Sequence, residues 1–253
     1  MIDINWLIAF YAALVGVCVG SFLNVVIYRM PMNMSVVSPG SHCPECGAPV
    51  RSYDNIPLIS WLLLMGICRD CGAGISSRYF WVEFLTGALS FGVVAKYGVT
   101  IESLILLVFV WGLVAITFID LDFQIIPDEI SIGGFLLALV LSPFMPLEFA
   151  GAITGALVGG GIFYALAVLY PGGMGGGDIK LIAAIGAFLG WEMALLTIVL
   201  GSFAGAIVGI AAMALFGKTR KDKIPFGPFL ALGALASVFW GDEMITAYLS
   251  AFA

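Results

Sequence analysis

Residues 101–119, Ile-Glu-Ser-Leu-Ile-Leu-Leu-Val-Phe-Val-Trp-Gly-Leu-Val-Ala-Ile-Thr-Phe-Ile, hold a single charged side chain, and runs of this kind recur along the whole chain. About 20 mainly apolar residues are enough to cross the hydrocarbon core of a bilayer as a helix, which bonds every backbone N–H and C=O internally. Breaks at Gly, Pro and charged residues delimit such runs near 5–28, 79–97, 101–119, 129–147, 149–170, 179–190, 192–216 and 226–250, which predicts eight spans. The sixth is short, and only Gly190-Trp-Glu192 separates it from the seventh. A seven-span chain with one long helix over 179–216 is therefore the competing expectation. With 62% apolar and 10% charged residues and a mean hydropathy of +1.11, the chain is not a soluble globular domain. The expected fold class is an all-α polytopic membrane protein.

The first run, Trp6 to Tyr28, follows Asp3 instead of a basic segment and continues without a clear cleavage site, so it is expected to be a retained span. Topology follows the placement of Lys and Arg, so the net charge of −6 carries little weight, and no nucleic-acid partner is expected. With eight spans, Arg29, Arg51, Arg69 and Arg78 fall in the first loop, Lys180 at a glycine run, and Lys218, Arg220, Lys221 and Lys223 in the last loop. Only Lys96 falls on the other side. The basic side is the cytosol, which puts both termini outside and Asp120, Asp122, Asp128 and Asp178 at cytosolic ends of spans. Seven spans would place the Lys218–Lys223 cluster opposite that face. The patterns Gly151…Gly155 and Gly201…Gly205 suit close helix packing. No internal repeat is seen.

The one substantial soluble piece is the loop that follows Arg29, in which Pro31, Pro39, Pro44, Pro49 and Pro57 argue against long regular elements. It carries Cys43-Pro-Glu-Cys46 and Cys68-Arg-Asp-Cys71, with residues 47–67 between the two pairs. This is close to four-cysteine zinc spacing, in which two tight knuckles supply a tetrahedron of thiolates. Disulfides or redox pairs are the alternative, but the loop is expected in the reducing cytosol without a thioredoxin-like context. A loop this small buries little core, so the metal would supply most of its folding energy. Cys18 reads as a packing residue, and His42, a fifth candidate ligand for four positions, as a bystander.

Gly172-Gly-Met-Gly-Gly-Gly-Asp178-Ile-Lys180 brings one carboxylate to the mouth of an apolar helix. A carboxylate within a span costs about 2.5–3.5 kcal/mol on insertion scales, so it reads as functional and calls for a partner. Candidates lie in Phe118-Ile-Asp120-Leu-Asp122-Phe-Gln-Ile-Ile-Pro127-Asp128. Asp120 closes an apolar run and is best placed to face a bundle, Asp122 falls on a different helical face, and Asp128 after Pro127 suits a helix N-terminus. Two close carboxyl groups cannot both ionise cheaply, so one activates water while the other keeps a proton to donate, the state that peptide hydrolysis needs. A Ser-His pair, a His-Glu-x-x-His zinc site and a phosphate loop are missing from the sequence, so any hydrolytic chemistry falls to Asp. Gly175, Gly176 and Gly177, with Lys180 beside them, are candidate substrate-binding residues because glycine lets an extended peptide approach the backbone. The competing reading of Asp178 is a helix N-cap in a flexible loop. Asn24, four residues after Gly20 on one helical face, is a candidate either for a hydrogen bond across helices or for a ligand contact.

Taken together, Gly20-Ser-Phe-Leu-Asn-Val-Val-Ile-Tyr-Arg-Met-Pro31, the two Cys-x-x-Cys pairs, Asn55-Ile-Pro-Leu-Ile-Ser-Trp61, Ile119-Asp-Leu-Asp-Phe-Gln-Ile-Ile-Pro-Asp128, Gly175-Gly-Gly-Asp-Ile-Lys-Leu181 and Ile224-Pro-Phe-Gly-Pro-Phe229 closely resemble the bacterial type IV prepilin peptidases. The glycine-Asp element alone is shared with presenilin-like and signal-peptide peptidases; its combination with the cysteine loop is diagnostic. The resemblance implies an enzyme of the bacterial inner membrane that cuts prepilin and pseudopilin leaders after a Gly on the cytosolic side. It then N-methylates the new terminus with S-adenosylmethionine. It places the catalytic pair on Asp120 and Asp178, with Asp122 and Asp128 as supporting acids. It also implies three regions: a first transmembrane helix over 1–28, a zinc loop associated with methyl transfer over 29–78, and an aspartyl protease core over 79–253. Two other classes compete, a cation-coupled transporter and a non-catalytic assembly factor. Acids at span ends instead of the midplane speak against transport.

Overall fold

The computed structural model describes residues 4–216, the last by backbone alone, and 224–251. Asp3 and the basic residues Lys218, Arg220, Lys221 and Lys223 lie outside the described residues. The chain forms two compact units, Met1–Ala115 and Ile116–Ala253.

In the first unit, α1 (Ile4–Arg29) packs on α3 (Arg78–Tyr97), with the short α2 (Ile59–Leu63) and two turns of 3-10 helix in the connecting loop. Small residues set the α1–α3 distance. A Cβ on Gly16 would lie 2.3 Å from the Ser90 hydroxyl, and one on Gly20 2.7 Å from the Glu83 Cα. Thr86 and Ser90 return their hydroxyls to carbonyls one turn back, so their polarity is satisfied inside the apolar interface. Gly98, at φ +67°, ends α3, and α4 (Ile101–Phe123) follows at once and runs through the unit boundary.

The second unit holds the end of α4, α5 (Asp128–Leu141), α6 (Glu148–Leu169), α7 (Gly176–Leu189), α8 (Trp191–Phe216) and α9 (Gly227–Ser250). Pro127 starts α5, and Pro228 lies in the first turn of α9. Helix α7 is the centre of this unit and packs against α5, α6, α8 and α9. It buries Leu181, Ile182, Ala184, Ile185, Gly186, Ala187 and Phe188. Its contact with α6 is backbone on backbone: a Cβ on Gly155 would lie 2.0 Å from the Gly186 carbonyl oxygen. A Cβ on Gly201 would lie 2.9 Å from the Phe229 carbonyl oxygen, so the predicted small-residue faces are packing faces.

Each predicted apolar run holds one helix, but the run over 129–147 is α-helical only to Leu141 and then turns through a 3-10 helix, Ser142–Phe144. Gly190 adopts φ +88°, which stops α7, and α8 begins at Trp191, so 179–216 is two helices and not one. Among the described residues, five helices are long and apolar enough to cross a membrane: α1, α4, α6, α8 and α9. Helices α5 and α7, of 14 residues each, reach only about 21 Å. On α8, Val199, Phe203, Ile207, Ile210 and Leu215 point outward. Such a face is stable against lipid and not against water. Gly186→Val, which drives a branched side chain into the α6 backbone, is expected to destabilise the protein by about 1–3 kcal/mol in detergent denaturation. Gly161→Ala, with open space around it, is expected to be neutral or slightly stabilising.

Candidate active site and metal centre

Asp120 lies in the last turns of α4 and is buried, 5% exposed. Its Oδ2 accepts a hydrogen bond of 2.9 Å from the Gly227 N–H, in the first turn of α9. The positive end of the α9 dipole therefore faces this carboxylate. Gly227 is required sterically as well, because a Cβ there would lie 2.7 Å from Oδ2. Asp178 comes from the start of α7. The helix begins earlier than the N-cap reading of Asp178 requires: Gly175 is the N-cap and Asp178 the third helical residue, its carboxylate turned back onto the Gly175 N–H. Asp120 and Asp178 line one cavity of about 820 Å³ and are close enough for their charges to interact. Among the described residues, no Lys or Arg pairs with either.

The rest of the cavity wall comes from Gly172–Gly177, Gln124–Ile126 and Ile224–Phe226. Gly177 is close-packed, with a Cβ position 3.0 Å from Ile126, while Gly176 has open space around it. Lys180 also lines the cavity, but its ammonium is paired with Asp128. Asp128 sits in the first turn of α5, so the pair ties α5 to α7. Asp122 is exposed and does not line the cavity. Asn24 belongs to the first unit: it is buried and gives its amide to the Tyr79 carbonyl at 3.1 Å, a bond from α1 to α3. The sequence alone assigns no role to Gly227; its only signal is the Pro-Phe-Gly-Pro run at residues 225–228, distant in the chain from either Asp.

In the first unit the four cysteine sulfurs lie within 4.8 Å of one another. Metal–sulfur bonds of about 2.3 Å give a tetrahedron with sulfur–sulfur edges of about 3.8 Å. Cys43 and Cys71 stand 3.8 Å apart. The two knuckles are copies. Cys43 N bonds the Ala48 carbonyl and Gly47 N the Cys43 carbonyl, just as Cys68 N bonds Ala73 and Gly72 N bonds Cys68. Gly47 and Gly72 turn the chain at φ +70° and +74°. This six-residue repeat, Cys-x-x-Cys-Gly-Ala, is readable in the sequence once the knuckle is known. The Cys46 and Glu45 N–H groups bring the Cys43 thiol down to about 7. At Cys71 the Ala73 N–H also lowers the thiol, but desolvation and the three neighbouring sulfurs push it up to about 12. Four sulfurs this close carry full charge only around a cation, and the donor set fits zinc. His42 turns instead to the Gly40 carbonyl. Arg69, inside the second knuckle, forks onto Asp54 at 2.6–3.1 Å and holds that carboxyl below the usual range.

Residues 14–97 match the model of the bacterial peptidase A24 N-terminal domain, and residues 107–210 that of the type IV leader peptidase family. The chain is similar to the prepilin leader peptidase/N-methyltransferase of Aeromonas salmonicida strain A449, 39% identical over 277 aligned positions covering 97% of this chain and 95% of the relative. Proteins of the same name in Legionella pneumophila (35% identical; 98% and 97% covered) and Pseudomonas aeruginosa (38%; 93% and 91%) are similar to it too. No solved structure gives a significant match.

Purified protein is expected to carry one zinc per chain by elemental analysis. Cys46→Ser or a strong chelator should remove it and open the 30–77 loop to proteases while leaving helix content nearly unchanged. Metal-free protein with a protease-resistant loop would rule the zinc site out.

Proposed function

The chain belongs to the type IV leader peptidase family, and on that premise we propose that it is a membrane aspartyl endopeptidase that cleaves prepilin and pseudopilin leaders after a Gly on the cytosolic side. It then methylates the new N-terminus with S-adenosylmethionine. The observation that supports this most is the meeting of Asp120 and Asp178 in one cavity at the glycine-rich start of α7. In the reaction, one carboxylate takes a proton from water, whose oxygen attacks the scissile carbonyl carbon. The second carboxyl gives its proton to the carbonyl oxygen. Collapse of the tetrahedral species breaks the C–N bond and the amine leaves protonated.

Other features take supporting roles. The open backbone at Gly176 leaves room for an extended substrate strand, and Gly175, whose Cβ position lies 3.0 Å from Asp178 Oδ2, lets the carboxylate stay beside it. Lys180 and Asp128 brace the cavity through their ion pair, and Asn24 holds α1 to α3. Asp122, exposed, is assigned to the supporting acids of this face. The four thiolates hold zinc and fold the loop. We assign 1–28 to a first transmembrane helix, 29–78 to the zinc loop associated with methyl transfer and 79–253 to the protease core. The protein is multi-pass in the bacterial inner membrane, with eight spans, both termini outside and the carboxylates toward the cytosol.

The test is cleavage of a purified prepilin by the detergent-solubilised protein, with mass spectrometry of the product. Asp120→Asn and Asp178→Asn are each expected to lower cleavage at least about a hundredfold without loss of folded protein. Wild-type product should gain a methyl mass when S-adenosylmethionine is present. Full cleavage by the double variant would discard the assignment. Gly227→Ala, which crowds Asp120, is expected to cut cleavage by about tenfold or more at unchanged zinc content, and activity equal to wild type would remove Gly227 from the site.

A further inference from the structure

Residues 55–68, Asn-Ile-Pro-Leu-Ile-Ser-Trp-Leu-Leu-Leu-Met-Gly-Ile-Cys, hold no charged side chain. An apolar run of this length is too short to span a bilayer and belongs either in a protein core or at a membrane interface. The core is excluded by exposure: Leu63 is 77% and Met65 81% exposed, with Ile59 and Leu62 also outward. The orientation is built. Ser60 is buried, and its hydroxyl donates to the Tyr53 carbonyl at 2.9 Å and accepts the Ile56 N–H at 3.1 Å. Trp61 packs inward, its indole N–H on the Ile75 carbonyl. Left-handed backbone at Leu58 (φ +61°) and Met65 (φ +52°), rare for such side chains, closes both ends of α2. The groups of α2 that can hydrogen-bond therefore face the protein, and its branched apolar chains face away.

The level of this face in the membrane follows from α3. The Leu58 N–H donates to the Glu83 carboxylate at 2.7 Å, and the Trp61 ring meets Phe80 at 5.5 Å, so α2 is fastened to the first two turns of α3. Trp81 and Phe84 point outward from those turns, and the Phe80 ring contacts both. Apolar cover is thus continuous from α2 onto the outer surface of α3, which packs on α1, a helix long and apolar enough to cross a membrane. Aromatic rings at the end of a span sit at headgroup level.

We infer that α2 and the turn at Met65 lie in the bilayer interface on the loop's side of the membrane, with Leu62, Leu63 and Met65 among the upper acyl chains. The inference needs only that α1 and α3 cross the bilayer and neither chemical activity. Segments of this kind bury their apolar side chains about 5–10 Å into the boundary between headgroups and chains. The loop is then not wholly in water. From Met65 the chain passes through Gly66 and Ile67 straight into Cys68, so the second cysteine knuckle is held against the membrane surface.

Hydroxyl-radical footprinting of the full wild-type protein, one chain per nanodisc of phosphatidylethanolamine and phosphatidylglycerol, provides the test. The reference is Tyr53, beside the Arg51 and Arg69 guanidinium groups on the charged side of the same loop and less exposed on the protein than Met65. Under lipid, Met65 should oxidise at least about fivefold more slowly than Tyr53. Met65 oxidised as fast as Tyr53 would overturn the inference, and this comparison needs no variant. A benzophenone side chain in place of Leu63 identifies the cover: illumination should add the mass of one phospholipid, and the same group in place of the exposed Glu45 should not. A folded Leu63 variant that yields no lipid adduct, or a protein adduct instead, would overturn it as well.

Discussion

Gly155 and Gly186 let the backbones of α6 and α7 touch, and the position of Asp178 depends on that contact. Helix α7 is short and almost wholly enclosed, so side chains on four neighbouring helices fix where it begins. Its first turn carries Asp178, and the glycine run before it supplies backbone without side chains. Asp120 arrives from a different helix and is oriented by the opening turn of a third. Two carboxylates thus share a cavity because three helix ends converge there. A bilayer favours this arrangement, since helix termini are where a spanning chain has unpaired N–H groups to offer an anion.

The helical layout is legible in the sequence because a membrane segment must be long, apolar and self-bonded. Each of the eight apolar runs holds one helix, though the fourth ends at Leu141, short of its predicted bound, and Gly190 separates the sixth from the seventh by a backbone angle that side-chain composition does not encode. Spacing alone also announces the cysteine cluster, since the ligands are local in each knuckle. Contacts between distant segments are what stay concealed. Gly227 sits 107 residues from Asp120, and nothing in either segment names the other. Lys180 reads as a substrate-binding candidate beside a glycine run, but its ammonium is paired with Asp128. The competing reading of Asp178 as a cap fails because the helix starts three residues sooner, with Gly175 in that place.

The loop of the first unit shows how a segment poor in regular structure is held. Its order comes from two copied knuckles, the Arg69–Asp54 fork and Trp61, whose indole N–H reaches the Ile75 carbonyl while its ring packs on Phe80. The motif around Trp61 also anchors the loop to α3, where Glu83 accepts the Leu58 N–H at 2.7 Å. None of these is a large apolar core. The four clustered sulfurs are placed so that a metal, once bound, would gather them.

The shortness of α5 and α7 has a bearing on how a hydrolase obtains its co-substrate inside a membrane. The two helices pack on each other and each falls about 9 Å short of a hydrocarbon core about 30 Å thick. Helix α7 is enclosed by α5, α6, α8 and α9, so the depth it leaves unfilled is walled by protein and not by lipid. The cavity that Asp178 lines lies at that end, among glycine backbone and helix termini that water can hydrate. A short enclosed helix thus gives a hydrolytic carboxylate a wet pocket without a pore built for the purpose.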